Sequence, residues 1–423
     1  MAKKNFKIVS LGCRTNQYEA QAYRDQLLEL GCQEAVEGEK ADICIVNTCT
    51  VTESADSSSR QAIRQLAKEN EGSLLLVTGC FAERQPDAVL AIPGVSHVIS
   101  NQDKEKLLAL LYPEEELPEF SIRHFEAHTR AFVKVQDGCN SYCTYCIIPY
   151  VRGRSRSRAL EAILREAEGL VQKGYKEIVL TGINIGDFDG GVAPGEKPVR
   201  LADLVRAVDQ VPGLERLRLS SIDPDEVDEE LMGAILEGKK TAPSLHIVLQ
   251  AGSNVILKRM NRKYTRQIFL ESIDRLKKAE PDFGFTTDVI VGFPGETDAD
   301  HRETLEVIQQ VKFAKVHVFP YSDRPRTRSA LMPNKVPADL LKIRKQEVLR
   351  AAEQAAFELR NQYVGRRMWV LTEGKEEGSE HISGHTGNFL RVEIDSASLV
   401  ANELVEVQLL KNSPKGLIGR QVV

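Results

Sequence analysis

No apolar run in this 423-residue chain approaches the roughly 20 residues that a membrane-spanning helix needs. No membrane partner is therefore expected. A signal-peptide core is also missing, because Met1-Ala2-Lys3-Lys4 leads straight into the strand-like Lys7–Leu11. A cytoplasmic location is the resulting expectation. No large excess of either charge is present; the net charge of −5 does not advertise nucleic-acid binding, although a mean can hide local patches. What the chain does have is eight cysteines, which in a cytosolic setting argue for metal or redox chemistry rather than disulfides.

Three of those cysteines fall within Asp137-Gly138-Cys139-Asn140-Ser141-Tyr142-Cys143-Thr144-Tyr145-Cys146, a glycine-led loop after the apolar run Ala131–Val135. Soft thiolates at this spacing suit zinc or an iron–sulfur cluster. Three ligands with no cysteine or histidine close behind fit a closed tetrahedral zinc site poorly, because structural zinc wants four. A cubane held by three cysteines keeps one iron open. A zinc loop and chance clustering are the alternatives. The Cys-x3-Cys-x2-Cys spacing resembles the signature of radical S-adenosylmethionine (SAM) enzymes, in which the open iron takes the amino and carboxylate groups of SAM.

The chain is too long for one ordinary core, so two or three domains are expected. Residues 1–112 alternate strand-like runs (Lys7–Leu11, Ile43–Asn47, Leu74–Thr78, Val95–Ser100) with helical patterns over Gln17–Leu30, Ser54–Glu69 and Asp103–Leu111. That alternation predicts an α/β domain with a doubly wound parallel sheet. Cys13, Cys49 and Cys80 each lie just beyond the C-terminal end of a strand. In an open parallel sheet those ends share one edge, where ligand sites form. A second cluster with an open iron is the expectation, against three unrelated core cysteines. Cys32 should sit at the opposite edge, and Cys44 reads as a buried small hydrophobe. Residues 113–130, beginning with a segment of two prolines and four glutamates, read as a linker.

Residues 131–362 continue the alternation. Strands are predicted at Ala131–Gln136, Glu177–Thr181, Arg216–Ser220, Leu245–Gln250, Thr286–Val291 and Lys315–Phe319, with no Gly-x-Gly-x-x-Gly fingerprint among them. Six such units suggest a partial (β/α)6 barrel, whose chemistry belongs at the C-terminal strand ends. Those ends are polar, and with Tyr145 of the cysteine loop they make a candidate SAM pocket of Thr181, Gly182, Asn184, Ser220, Ser221, Gln250 and Asp288. His317, inside an apolar strand, reads as a packed core histidine. A long helix from Ala338 to about Tyr363 leads out of the barrel.

Residues 363–423 carry short β-rich runs (Arg367–Thr372, Asn388–Glu393, Leu404–Leu410), long enough for a small antiparallel β-barrel of the kind that often binds nucleic acid. Gly384–Phe389 supplies an aromatic there. Three stretches hold arginine or lysine without an acid: Pro149–Arg158, Leu257–Arg266 and Lys411–Val423. They outline a candidate polyanion track, although a charge run is usually a solvated face. Its candidate contacts are Arg152, Arg154, Arg156, Arg259, Arg262 and Lys263.

Taken whole, the chain resembles the radical SAM methylthiotransferase family. Leu11–Gln17, Asn47-Thr48-Cys49-Thr50 and Gly79-Cys80 resemble its N-terminal cluster motifs; Gly138–Gly153 resembles its radical SAM loop; and the C-terminal piece resembles the TRAM domain, which engages RNA in this family. Arg152–Arg158 and His317–Ser322 look most like the branch that acts on threonylcarbamoyladenosine of tRNA, next to the anticodon. Arg326 stands where the family usually has glycine. The resemblance implies two 4Fe-4S clusters, at Cys13/Cys49/Cys80 and Cys139/Cys143/Cys146. One SAM would methylate sulfur carried at the first. A second, cleaved at the other, would give the radical that takes hydrogen from carbon 2 of the adenine. A low-potential electron donor such as flavodoxin or ferredoxin and a sulfur source are implied partners. Rival readings are a methylthiotransferase for isopentenyl-type adenosine or a ribosomal-protein aspartate, and an iron–sulfur RNA-binding protein without turnover.

Overall fold

A computed structural model describes residues 4–125, 129–193, 195–375, 381–396 and 398–422; the N-terminal residues 1–3, residues 126–128 of the expected linker, and 194, 376–380, 397 and 423 lie outside the described residues. Among the described residues, no helix is long and apolar enough to cross a membrane.

The first domain is a five-stranded, wholly parallel sheet in the order Gln33–Glu34, Asn5–Ser10, Ile43–Thr48, Leu74–Gly79, Val95–Val98. Its central strand is buried on both faces, as a sheet covered on both sides requires. Ile43 and Ile45 pack under the helix Arg14–Glu29 through Tyr23 and Leu27. Cys44 and Val46 pack under the helix Glu53–Glu69 through Ile63 and Leu66. The edge strand Gln33–Glu34, two residues long, was not among the expected strands. The helix expected at Asp103–Leu111 is a tighter 3-10 turn over Lys104–Leu110.

Six parallel strands follow: Arg130–Lys134, Glu177–Thr181, Arg216–Ile222 interrupted at Ser220, Ser244–Ile247, Gly284–Val291 and Lys315–Pro320. The interrupted strand pairs with Glu177–Thr181 through its first half and with Ser244–Ile247 through its second, joining a three-stranded to a four-stranded sheet. The barrel is left open between its first and last strands. The helix Arg14–Glu29 packs beside the first strand, with Glu19 3.6 Å from Lys134 and the Tyr18 hydroxyl donating to Glu166 at 2.8 Å. The described part of the expected linker packs rather than hanging free, with Ile122 and Phe125 buried in the barrel core and Phe120 held against Tyr23.

The C-terminal domain is a closed five-stranded barrel ordered Arg367–Lys375, Ile382–Thr386, Arg391–Asp395, Leu417–Gln421, Leu404–Asn412. One neighbouring pair, Arg391–Asp395 with Leu417–Gln421, is parallel, and the others are antiparallel. The Gly384–Phe389 turn was expected to present an aromatic to nucleic acid. Instead it docks on the N-terminal ends of the large barrel's strands. Arg218 donates to the carbonyls of Thr386 and Gly387 at 2.7 and 2.8 Å and lies 5.1 Å over the Phe389 ring. A Cβ at Gly284 would stand 2.0 Å from the Asn388 carbonyl oxygen, so only glycine permits this approach. The turn thereby floors the barrel lumen.

Candidate active site: two cysteine triples and the ion network between them

Three strand ends deliver the first triple. Cys13 caps the helix Arg14–Glu29, Cys49 follows Ile43–Thr48, and Cys80 opens the short helix after Leu74–Gly79. Their loops are tied together. Asn16 donates to the carbonyls of Leu11 and Thr48 at 2.6 and 3.1 Å, and Ser59 donates to the Cys49 carbonyl at 2.9 Å. Gly12 lies flat against Cys49, because a Cβ there would come 2.7 Å from its Sγ. Cys49 and Cys80 are buried, and Cys13 is exposed. Burial pushes the Cys49 thiol up to about 12, and raises that of Cys80 against the pull of Arg152.

The second triple sits in the loop after the barrel's first strand. Gly138 adopts φ +74°, and a Cβ there would lie 2.1 Å from the Arg154 carbonyl oxygen. Thr144 anchors the loop, its backbone N–H donating to Met260 O at 3.0 Å and its hydroxyl to Arg259 O at 2.8 Å. Gln136 ties the loop to the second strand's end. It donates to the Gly138 carbonyl at 2.7 Å and accepts from the backbone of Ile183 and Asn184, both at 3.0 Å. Burial raises the thiols of Cys139 and Cys146. A metal group bound at these cysteines would displace their protons and stabilise the thiolates.

The segment after the second triple reaches the first. Cys80 packs with Ile147 and Val151, the segment directly after Cys146. Beneath it lies a buried ion network that neither domain completes alone. Arg152, fully buried, donates to Cys80 Sγ at 3.2 Å, to Glu19 at 3.0 Å, to Asp137 at 2.8 Å and to the Asn16 side-chain carbonyl. Lys104 bridges Glu19 and Asp137, 2.6 Å from each. Burial alone would raise the Glu19 carboxyl, but Arg152, Lys104 and Lys134 bring it down to about 2. Arg262 plays the matching part at the other loop, donating to Cys143 Sγ at 3.0 Å while paired with Asp223 and stacked 4.8 Å over Tyr264.

Two expected phosphate contacts are corrected by this arrangement. Arg152 and Arg262 face cysteines and carboxylates in the interior, where no phosphate reaches them. Arg154, Arg156, Arg259 and Lys263 are exposed. Arg156 and Arg259 donate to main-chain carbonyls, of Arg152 at 2.9 Å and Pro294 at 3.1 Å.

The expected SAM residues divide as well. Thr181, Gly182 and Asn184 lie at the second strand's end, Ser220 and Ser221 at the break in the third, and Gln250 bridges to Val289. Tyr145 packs edge-on against Phe293. Ser220 Oγ and Gln250 Oε1 are buried without a hydrogen-bond partner, the condition of groups that await a polar ligand. Asp288 departs from the set. It lies mid-strand in register with His317, 3.3 Å from His246 Nε2, in the lumen rather than at the strand end. His317 likewise lines the lumen and is not packed in the core.

A zinc ion 2.3 Å from each sulfur would hold three thiolates about 3.8 Å apart. Among the described residues, neither triple brings its three thiols within 4.8 Å of one another, so neither is closed around a single ion, and the soft three-thiolate donor set suits an iron–sulfur cluster. Sequence reasoning missed Gln136, Glu19, Lys104 and the burial of Arg152. Asn16 and Glu19, three apart on one helix face just after Cys13, were the available signal.

Both α/β domains match known family models. Residues 133–308 match the model of the Radical SAM superfamily, and residues 5–100 that of the Uncharacterized protein family UPF0004. A Chlamydia pneumoniae protein named threonylcarbamoyladenosine tRNA methylthiotransferase MtaB is 47% identical, over 99% of each chain. A Clostridium perfringens protein named tRNA-2-methylthio-N(6)-dimethylallyladenosine synthase is 33% identical, over 100% of this chain and 98% of its own. In fold, the chain is similar to the radical SAM methyltransferase TsrM of Kitasatospora setae, solved with cobalamin and a 4Fe-4S cluster bound. The TM-score is 0.58 at 14% identity, over 78% of this chain and 77% of that one. The chain belongs to the radical SAM methylthiotransferase family. It is an enzyme of that kind, and its cofactors are iron–sulfur clusters and SAM.

Proposed function

We propose that this enzyme methylthiolates carbon 2 of N6-threonylcarbamoyladenosine beside the anticodon of tRNA, giving the 2-methylthio nucleoside. The observation that carries the reading is the packing of Cys80, a cysteine of the first triple, against Ile147 and Val151, the segment that follows the second. In support of the substrate stands the name of the relative at 47% identity; the dimethylallyladenosine-directed relative is more distant, at 33%.

Cys13, Cys49 and Cys80 would hold one 4Fe-4S cluster, and Cys139, Cys143 and Cys146 the other. When bound, the clusters and SAM supply sulfur transfer and reductive cleavage of SAM, the chemistry that side chains lack. The chain does the placing. Arg152 and Arg262 fix one cysteine of each triple and offset its charge. Gln136 and Thr144 hold the second loop to the neighbouring strand ends. Thr181, Gly182, Asn184, Ser220, Ser221 and Gln250 form the polar rim for SAM. Exposed Arg154, Arg156, Arg259 and Lys263 hold phosphates of the anticodon loop, whose unpaired base is splayed into the site at low cost. A low-potential donor such as flavodoxin or ferredoxin supplies the electron, and a separate sulfur source restores the sulfur.

Nucleoside mass spectrometry of tRNA from cells lacking the gene tests this. The expected result is loss of the 2-methylthio form with accumulation of threonylcarbamoyladenosine. Loss of the dimethylallyladenosine derivative instead would select the rival substrate.

A further inference from the structure

The barrel lumen contains a cavity of about 240 Å³, lined among others by Arg14, Arg130, His246, Lys315, His317 and Phe389. The Gly384–Phe389 turn floors it. Along the same strands, two residues beyond Arg218, Ser220 opens the polar rim at the other end. The cavity thus lies along the same strands whose C-terminal ends carry the polar rim. Arg14, the residue after Cys13, enters it from the first domain and lies 5.3 Å over the Phe132 ring.

The charges in this cavity do not balance. Arg218 is paired with Glu177, and Arg130 lies 3.2 Å from Glu373, which also accepts from His385. Arg14 and Lys315 have no hydrogen bond and no ion pair among the described residues. An unpaired guanidinium in a half-buried cavity is costly unless an anion completes it. His246, Asp288 and His317 do bring three ligand atoms within 4.8 Å of one another, a donor set that suits a divalent metal. The cations Arg14, Arg130, Arg218 and Lys315 around them oppose a metal ion and favour an anion.

We propose that this cavity receives the carboxylate of the substituent on the target base, with Arg14 and Lys315 as its charged partners and the Phe389 face beneath its aliphatic part. This rests on the reading of the substrate as threonylcarbamoyladenosine, whose N6 group ends in a carboxylate. A dimethylallyl group offers nothing for these cations to bind, so Arg14 and Lys315 are specificity-determining residues.

The test uses reconstituted holoenzyme and anticodon stem-loops carrying threonylcarbamoyladenosine, the same nucleoside with its carboxylate converted to an amide, or dimethylallyladenosine. Binding is read by fluorescence anisotropy, with iron content and SAM affinity followed alongside. The wild type should prefer the acid over the amide by about 10- to 100-fold, the range of hydrogen bonds to charged groups. Lys315→Met and Arg14→Met should each erode that preference by weakening only the acid, and Arg14→Lys should restore part of it. If Arg14→Met fails to hold its iron, Lys315→Met decides the matter alone. Equal binding of acid and amide by the wild type overturns the inference. So does an Arg14→Met variant that loses SAM affinity yet keeps the acid preference, which would assign Arg14 to the methionine carboxylate. The two readings fail separately. Turnover of dimethylallyl tRNA with none of threonylcarbamoyl tRNA sinks the proposed substrate; turnover of the latter with acid and amide bound alike sinks only the cavity assignment.

Discussion

Arg152 Nε donates to Cys80 Sγ at 3.2 Å, from a guanidinium with no exposure to solvent. A residue of the second domain thus holds a cysteine of the first. The same guanidinium pairs with Glu19 of the first domain and Asp137 of the second. Removing one partner of such a buried network costs about 3–5 kcal/mol. Arg152→Met should lose stability on that scale in denaturant unfolding. Its iron should fall from about eight to about four per chain, with the second-domain cluster retained. A variant with wild-type stability and full iron would show that the contact is incidental.

Acid sensitivity follows from Glu19. Burial raises its carboxyl, but Arg152, Lys104 and Lys134 outweigh burial and bring it from 4.5 down to about 2. A carboxyl lowered on folding contributes stability that is full above its unfolded value and lost as pH falls through the folded one. The window runs from about 4.5 to about 2, and the contribution is on the order of 3 kcal/mol. Glu19→Gln should be less stable at neutral pH and show a shallower loss across that window. An unchanged acid limb would place the sensitivity elsewhere.

Arg326 adopts φ +69° in the loop after the last barrel strand. That left-handed conformation costs a residue with a Cβ about 1 kcal/mol or more, a cost that glycine escapes. Its neighbour Arg324 anchors the loop to the first domain, 2.8 Å from Asp56. Arg326→Gly should gain about 0.5–1 kcal/mol in thermal unfolding once the added freedom of the unfolded chain is subtracted. A loss would mean that the exposed guanidinium contributes more than the backbone strain removes.

Much of this was legible in the sequence. Short apolar runs ending in Cys13, Cys49 and Cys80 show both a parallel sheet and a shared edge, because strand direction fixes where the ends fall. Six further runs showed the barrel. The two-residue strand Gln33–Glu34 is too short for a pattern, and Ile382–Thr386 and Leu417–Gln421 are interrupted by the glycines that let barrel strands approach closely. Arg152 was misread for a deeper reason. In the run Arg152-Gly153-Arg154-Ser155-Arg156 every arginine looks equally solvated. Only the fold brings Glu19, 133 residues away, to make one of them an interior ion. The Gly384–Phe389 turn has the composition of an RNA contact, yet its carbonyls are fixed by Arg218, far away in sequence.

The division of labour between the triples is tested most directly by the products of two alanine variants under reducing, anaerobic conditions with SAM and tRNA. With Cys139, Cys143 and Cys146 replaced, neither 5′-deoxyadenosine nor methylthiolated nucleoside should form. With Cys13, Cys49 and Cys80 replaced, 5′-deoxyadenosine should still accumulate while the methylthiolated nucleoside is absent. Two variants that behave alike, both cleaving SAM or neither, would contradict the account.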